Sequence, residues 1–101
     1  MYLIIWEYVV KPEHRHDFKR IYASNGEWAL LFRKSEGYLG TELLTDEGNP
    51  NRFVTIDRWT SIEAHARFKA RFQTEYEKLD AECESMTERE TLIGKYFSSE
   101  K

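Results

Sequence analysis

The sequence predicts an α+β fold, in which helices cover one face of a four-stranded antiparallel sheet. The first observation is a hairpin pattern, because Tyr38–Thr45 and Arg52–Trp59 are rich in β-branched and aromatic residues and flank the turn-forming cluster Asp46–Asn51. The others are strand-like apolar runs near both ends of the chain and helical spacing of apolar residues between the strands. The predicted order is strand, helix, strand, strand, helix, strand.

Composition and charge limit the size and the partners. The 101 residues suffice for one domain, predicted over residues 1–101, and a net charge of −3 argues against nucleic acid and anionic membranes as partners. Cys83 is the single cysteine, so these residues can form neither a disulfide among themselves nor a cysteine-based zinc site. No segment approaches the roughly 20 apolar residues of a membrane span, and the apolar start of the sequence lacks a basic leader. We therefore expect a cytoplasmic protein.

The first strand is predicted over Tyr2–Val10, an apolar run that ends before Lys11 and Pro12. Strand alternation separates its side chains into two faces. One face carries Leu3, Ile5, Glu7 and Val9, and the other carries Ile4, Trp6, Tyr8 and Val10. Because neither set suits water, we expect both faces to be covered.

A kinked helical segment follows, starting at Pro12 and Glu13, which suit a first helical turn. The segment Ser24–Glu27 interrupts it, since it contains a glycine and has the serine-to-glutamate spacing of a capping box. A second helical piece is predicted from there to about Ser35, with Trp28 and Phe32 pointing inward.

After the hairpin, Thr60 and Glu63 have the spacing of another capping box. A helical apolar stripe follows, formed by Phe68, Phe72, Tyr76, Leu79 and Cys83. This pattern fits one helix to about Glu84 or two helices that are broken near Gln73 and Thr74. The last strand is predicted over Thr91–Phe97.

This order of elements is the ferredoxin-like βαββαβ arrangement, in which both helices lie on one face of the sheet. We expect the uncovered face to carry Trp6 and Tyr8. Such a face would be a large exposed apolar patch on a monomer. A homodimer that packs sheet to sheet is therefore predicted.

The hairpin and its exit also resemble a known family, that of the antibiotic biosynthesis monooxygenases. The resemblance lies in Gly37–Leu44 and Phe53–Ala64 and in the opening pattern Val10–Pro12, and it extends over about residues 2–97. Its most specific part is the strand-end run of Asp57, Trp59, Ser61, Glu63 and Ala64. The resemblance implies a dimeric α/β barrel with a pocket in each subunit between the helices and the sheet.

The resemblance implies more than one activity. Some family members oxygenate polycyclic aromatic or quinol substrates with O₂ and use neither metal nor flavin, and others degrade haem. The sequence departs from the haem-degrading pattern, because Tyr2–Val10 has no asparagine, Phe68 replaces a tryptophan, and Glu75–Glu84 has no histidine. Haem degradation is therefore disfavoured. Members nearer the quinol-oxidising kind often have histidine where this chain has Phe68.

Glu7 and His65 are the candidate catalytic residues. Glu7 is the one charge in the first strand, so it either pairs with an arginine such as Arg58 or Arg33 or lies in the pocket and accepts a proton. His65 lies early in the second helical region, where it is either a proton acceptor facing the pocket or a half-exposed histidine without a chemical role. No second ligand at suitable spacing accompanies it, so no metal site is predicted.

Five aromatic residues are expected between the helices and the sheet, either as plain core or as the walls of a cavity for a flat apolar ligand. They are Trp28, Phe32, Trp59, Phe68 and Phe72. Asp57 is interpreted as structural, fixing the strand-to-helix turn or pairing with Arg52 or Arg58. Cys83 is interpreted as an inert buried thiol.

The resulting hypothesis is a cofactor-independent monooxygenase that acts on a small aromatic substrate of the quinol or anthrone kind. Such a substrate would itself supply the electron-rich carbanion that meets O₂, so no cofactor is expected. The alternative is a non-catalytic dimeric module that binds a small ligand or acts as a sensor.

Overall fold

The computed structural model describes residues 1–99 and contains the four-stranded antiparallel sheet. The strands are β1 (Tyr2–Val10), β2 (Tyr38–Asp46), β3 (Asn49–Trp59) and β4 (Thr87–Phe97). They lie in the order β2-β3-β1-β4, and each neighbouring pair is antiparallel. The predicted ferredoxin-like βαββαβ fold is thus confirmed.

The first helical region is kinked as predicted. A 3₁₀ turn at Pro12–His14 leads into α1 (Arg15–Tyr22), and α2 (Glu27–Phe32) follows after a break. The break depends on Gly26, because a Cβ atom there would lie 2.3–2.6 Å from the backbone carbonyl groups of Arg20 and Ile21. Gly26 also caps α2 without a side-chain hydrogen bond, so the predicted serine capping box is wrong.

The second helical region consists of two helices, α3 (Ile62–Arg71) and α4 (Gln73–Cys83). Of the two alternatives left open by the sequence, the broken form is therefore correct, with Phe72 at the junction. The cap of α3 is Ser61, whose Oγ accepts a hydrogen bond of 3.1 Å from the Ala64 amide. The predicted cap at Thr60 is thus one residue too early, because the side chain at position 61 reaches the free amide.

The strand boundaries at the hairpin and at the start of β4 differ from the prediction. The hairpin turn is only Glu47–Gly48, tightened by a 2.8 Å hydrogen bond from the Gly48 amide to Asp46 Oδ1, so β3 begins at Asn49. Strand β4 begins at Thr87 rather than Thr91 because it pairs with β1 along its whole length, to Val10. The first residues of β4 are polar, so the hydropathy pattern of the sequence does not indicate a strand there.

The two faces of the sheet are the reverse of the prediction. Tyr8 is buried under the helices, where its ring lies 5.2 Å from that of Phe18, and Trp6 packs against the same core. The prediction that these two aromatic residues occupy the uncovered face is wrong, since the helices cover the face with the larger rings. The uncovered face carries the other alternating set of β1, namely Leu3, Ile5, Glu7 and Val9.

The helices themselves are short. Within residues 1–99, none combines the length and the apolar character that crossing a membrane would need.

Candidate functional site

A cavity with two adjoining lobes lies between the helices and the sheet. The lobes share four lining residues, namely Trp6, Phe32, Asp57 and Tyr76. The acidic lobe has a volume of about 40 Å³ and is also lined by Tyr8, Tyr22, Trp28, Thr41, Thr55, Asp80 and Glu90. The basic lobe has a volume of about 100 Å³ and is also lined by Ile4, Trp59, His65, Lys69 and Lys95.

Strand register places a polar row across the floor of this cavity. Asp57 on β3 is opposite Thr41 on β2 and Ile4 on β1, and Ile4 is in turn opposite Lys95 on β4. Residues directly opposite each other in an antiparallel sheet point to the same face. The register therefore aims the carboxyl group of Asp57 at the helices, from the middle of the sheet, and brings Lys95 to the edge of the same face.

Asp57 is the acidic group best placed for chemistry in the cavity. Burial raises the pKa of its carboxyl group from 3.8 to about 6, against the lowering effect of a hydrogen bond from Thr41. That bond runs from Thr41 Oγ1 to Asp57 Oδ1 at 2.7 Å, and the Tyr38 hydroxyl lies 2.5 Å from the same Thr41 oxygen. A carboxylate with a pKa about one unit below neutrality can accept a proton at neutral pH and release it again.

The cavity also offers neutral hydroxyl groups. Burial raises the pKa of Tyr76 to about 12 and that of Tyr8 well above its usual value, so both phenols keep their protons near neutral pH. Thr55 Oγ1 lies 3.5 Å from the Tyr8 hydroxyl. The indole Nε1 of Trp28, another lining residue, is buried. These groups can donate hydrogen bonds to oxygen atoms of a ligand.

His65 lines the basic lobe, but its pKa lies well below neutrality. Burial, followed by repulsion from Lys69 and Lys95, lowers its pKa from 6.5 to about 4. Its ring lies 5.2 Å from that of Trp59, in an edge-on arrangement. The imidazole is therefore neutral at neutral pH and presents one donor and one acceptor nitrogen to the lobe.

Glu7 lies on the uncovered face of the sheet and not in the cavity. Its carboxylate accepts hydrogen bonds from Arg52 Nε at 2.8 Å and from Arg89 Nη2 at 3.3 Å, and the Arg52 bond is the main reason that its pKa is lowered. The interpretation as an ion pair therefore holds, although the partners are not Arg58 or Arg33. The expected position in the pocket is corrected, because strand alternation turns Glu7 away from Trp6 and Tyr8.

The five predicted aromatic residues divide into two groups. Trp28, Phe32 and Trp59 line the cavity. Phe68 is fully buried behind Phe32 and Trp59, with ring centroids 5.2 and 5.3 Å away, and Phe72 stacks on Phe68 rather than on the cavity. Phe68 belongs to the core and Phe72 packs against it, and the two rings meet because they are four residues apart on one helical face.

Sequence reasoning missed several polar residues of the cavity, among them Asp57 as a reactive group and Thr41, Lys69 and Lys95. The sequence indicates a structural role for Asp57, and within residues 1–99 the structure gives it Thr41 rather than an arginine as its hydrogen-bond partner. The available signal was the register, since pairing Trp59 with Tyr2 fixes Asp57 opposite Ile4 on the covered face. Among residues 1–99, no group of three or more histidine, cysteine or acidic residues is arranged to hold a metal ion.

Comparison with known proteins agrees with this fold. The family model described as antibiotic biosynthesis monooxygenase matches residues 1–80. The chain belongs to the antibiotic biosynthesis monooxygenase family. A search among curated proteins found no match.

Solved structures share the fold of this antibiotic biosynthesis monooxygenase-family protein at low sequence identity. A mutant of SnoaB, a cofactor-independent oxygenase from Streptomyces nogalater, has a TM-score of 0.82 and 18% identity, over 99% of this chain and 94% of SnoaB. A protein from Nitrosomonas europaea named for the same family has a TM-score of 0.75 and 20% identity, over 99% of this chain and all of its own. A conserved protein from Methanosarcina mazei has a TM-score of 0.73 and 15% identity, over 97% and 92% of the two chains.

Proposed function

We propose that this family member is a cofactor-independent monooxygenase that acts on a small aromatic substrate of the quinol or anthrone kind. The observation that carries the proposal is the carboxyl group of Asp57, with a pKa of about 6, on the floor of a cavity walled by aromatic rings. The similarity in fold to SnoaB, whose name describes a cofactor-independent oxygenase, supports the same reaction class.

In the proposed reaction, Asp57 accepts a proton from the substrate and so produces an electron-rich enolate or phenolate. That anion reduces O₂, and a new bond forms between a ring carbon and oxygen, which gives a hydroperoxide. Loss of water then leaves a carbonyl group on the ring. One oxygen atom of O₂ stays in the product, and the other leaves as water with two hydrogens of the substrate. The two electrons that reduce this second oxygen atom to water also come from the substrate.

Other residues of the cavity would hold the substrate in place for this step. Trp28, Phe32 and Trp59 provide ring contacts, and the neutral imidazole of His65 provides a hydrogen bond at the edge of the basic lobe. Both lobes are well below the roughly 300–1,000 Å³ of typical ligand pockets. The volume therefore favours one-ring quinols over larger anthrones.

Oxygen uptake with a panel of hydroquinones, in the presence of a chelator, tests this proposal. We expect consumption above the autoxidation blank and a loss of about 100-fold or more in rate for Asp57→Asn. The exposed acid Asp17 on α1 provides a matched control, and Asp17→Asn should behave as wild type. Ligand binding without oxygen uptake across the panel would favour the alternative of a non-catalytic binding module.

The proposal includes a homodimer through the uncovered face of the sheet. That face carries the aliphatic side chains of Leu3, Ile5, Val9, Val54 and Ile56, and the exposed Leu44 adds to them on β2. Its charged residues form ion pairs with one another, such as Arg58 with Glu42 at 2.9 Å. A flat apolar surface whose charges are already paired is suited to contact with a second copy.

A further inference from the structure

We propose that the cavity binds its aromatic ligand as an anion, with a carboxylate or phenolate oxygen between Lys69 and Lys95 and the ring among Trp6, Phe32 and Tyr76. The inference rests on the proposed function for the choice of cavity and deepens it by naming the charge of the ligand. It holds equally if the ligand is bound without being turned over.

The side chains of Lys69 and Lys95 both line one small lobe of the cavity. Neither Lys69 nor Lys95 forms an ion pair within the described residues 1–99. Lys69 Nζ lies instead 3.6 Å from the centroid of the Tyr76 ring, which is a shared wall of both lobes. One positive charge therefore lies directly against the aromatic lining of the cavity.

Lys69 and Lys95 repel each other, and both disfavour a positive charge on His65. Burial is the main cause that lowers the pKa of Lys69, Asp80 raises it, Lys95 lowers it by a smaller amount, and Glu77 raises it slightly. The same two lysines lower the pKa of His65. An anion bound between Lys69 and Lys95 would relieve this repulsion, which is a favourable contribution that a neutral ligand lacks.

The acidic lobe carries the opposite charge, and this difference between the two lobes would orient the ligand. Asp80 and Glu90 line the acidic lobe, and Asp57 lies where the two lobes adjoin. An anionic substituent is repelled at the acidic end and attracted at the basic end. A ring that carries its anion toward the lysines therefore presents its remaining hydroxyl groups to Asp57, the proposed base.

The small size of the cavity limits the size of the ligand. Lobes of about 40 and 100 Å³ leave room for a single ring rather than a fused system. The class of ligand is thus a one-ring hydroxylated aromatic acid, or a phenol acidic enough to ionise. Gentisate represents this class, hydroquinone is its neutral counterpart, and methyl gentisate keeps the shape of the acid without its charge.

Titration calorimetry of these three compounds tests the proposal. We expect gentisate to bind about tenfold or more tightly than hydroquinone and methyl gentisate at low salt, with a difference that shrinks as salt is raised. Equal affinities for all three compounds, or no heat of binding with gentisate, would overturn the proposal.

Variants of the two lysines locate the anion. Lys69→Gln and Lys95→Gln should each weaken gentisate binding several-fold or more, and by a clearly larger factor than they weaken hydroquinone binding, and Lys95→Arg should restore most of the affinity for gentisate. Lys78 on α4 is exposed and lines neither lobe, so Lys78→Gln is the matched control. A loss for gentisate in Lys78→Gln that equals the loss in Lys95→Gln would contradict the proposed site.

Binding of gentisate and uptake of oxygen together distinguish the anion site from the proposed reaction. Tight, lysine-dependent binding of gentisate without oxygen uptake would support the anion site and reject the monooxygenase activity. Oxygen uptake with neutral hydroquinone and no preference for the acid would support the activity and reject the anion site.

Discussion

Asp57 and His65 line the same cavity, and burial shifts their pKa values in opposite directions. The pKa of Asp57 is raised to about 6 and that of His65 is lowered to about 4, so both groups are uncharged in the folded protein between these values. Desolvation is the main cause of both shifts, because it disfavours the charged form of either group. Between about pH 4 and 6, neither of these two groups adds a charge to the cavity.

The two shifts have opposite effects on the pH dependence of stability. Between pH 3.8 and about 6 the folded chain keeps a proton on Asp57 that the unfolded chain releases, so stability falls as pH rises. Between about 4 and 6.5 the unfolded chain binds a proton on His65 that the folded chain lacks, so stability rises with pH. In the wild-type protein the two slopes oppose each other.

Single variants should reveal each slope. Asp57→Asn is expected to gain stability relative to wild type as pH rises from about 4 to 6, by up to about 3 kcal/mol. His65→Gln is expected to gain relative to wild type as pH falls from 6.5 to about 4. Urea denaturation at several pH values measures both differences, and a pH-independent difference for either variant would contradict the assigned pKa shift.

Which side chains share a face was predicted well at some positions and badly at others. Alternation correctly separated Glu7 from Trp6 and Tyr8, but it does not say which of the two faces the helices cover. Packing decides which face the helices cover, because the ring of Tyr8 packs against that of Phe18 on α1, with ring centroids 5.2 Å apart. The role of Asp57 was missed for the same reason, because its environment depends on strands and helices that are distant in sequence.

At the scale of elements, Gly26 decides where the first helical region breaks. Gly26 lets the chain turn between α1 and α2, whereas a Cβ atom added at Gly48 in the hairpin would meet only Asp46 Oδ1, at 3.7 Å. Gly26→Ala should therefore destabilise the fold by about 2 kcal/mol or more, since its methyl group would overlap backbone atoms that cannot easily move. Gly48→Ala is the matched control and should stay close to wild type in thermal unfolding.

The start of α3 gives a second test at this scale. Ser61 Oγ accepts the Ala64 amide, so Ser61→Ala should cost about 1 kcal/mol of unfolding free energy. Thr60→Ala should cost clearly less, because Thr60 precedes the cap. The reverse order of the two effects in chemical denaturation would favour the capping box that the sequence pattern indicates.

The helices and strands were predicted well where apolar periodicity is strong and poorly where polar residues form regular structure. The kink near Gly26 and the hairpin follow from glycine and turn residues, which are local signals. The first residues of β4, from Thr87, carry no such signal, since their strand conformation comes from pairing with β1. The capping residue of α3 was misplaced by one position because Thr60 and Ser61 are both good caps and only geometry separates them.

At the scale of the whole molecule, the uncovered face of the sheet leads to a prediction about assembly. If a second copy covers this face, Ile5→Lys should yield monomers, because it places an unpaired charge in the centre of an apolar contact. Leu30 is exposed on α2, away from this face, and Leu30→Lys is the matched control. Light scattering after size-exclusion chromatography distinguishes the outcomes, and a monomeric wild-type protein would contradict the proposed homodimer.

The cavity also determines the optical properties of the protein. The sequence contains three tryptophans, and all of them line the cavity: Trp28 in the acidic lobe, Trp59 in the basic lobe and Trp6 in both. No indole elsewhere contributes a constant background to the ultraviolet emission. The intrinsic fluorescence of this protein is therefore a direct signal of what occupies the cavity, so an unlabelled sample can be screened against compound collections without a known reaction.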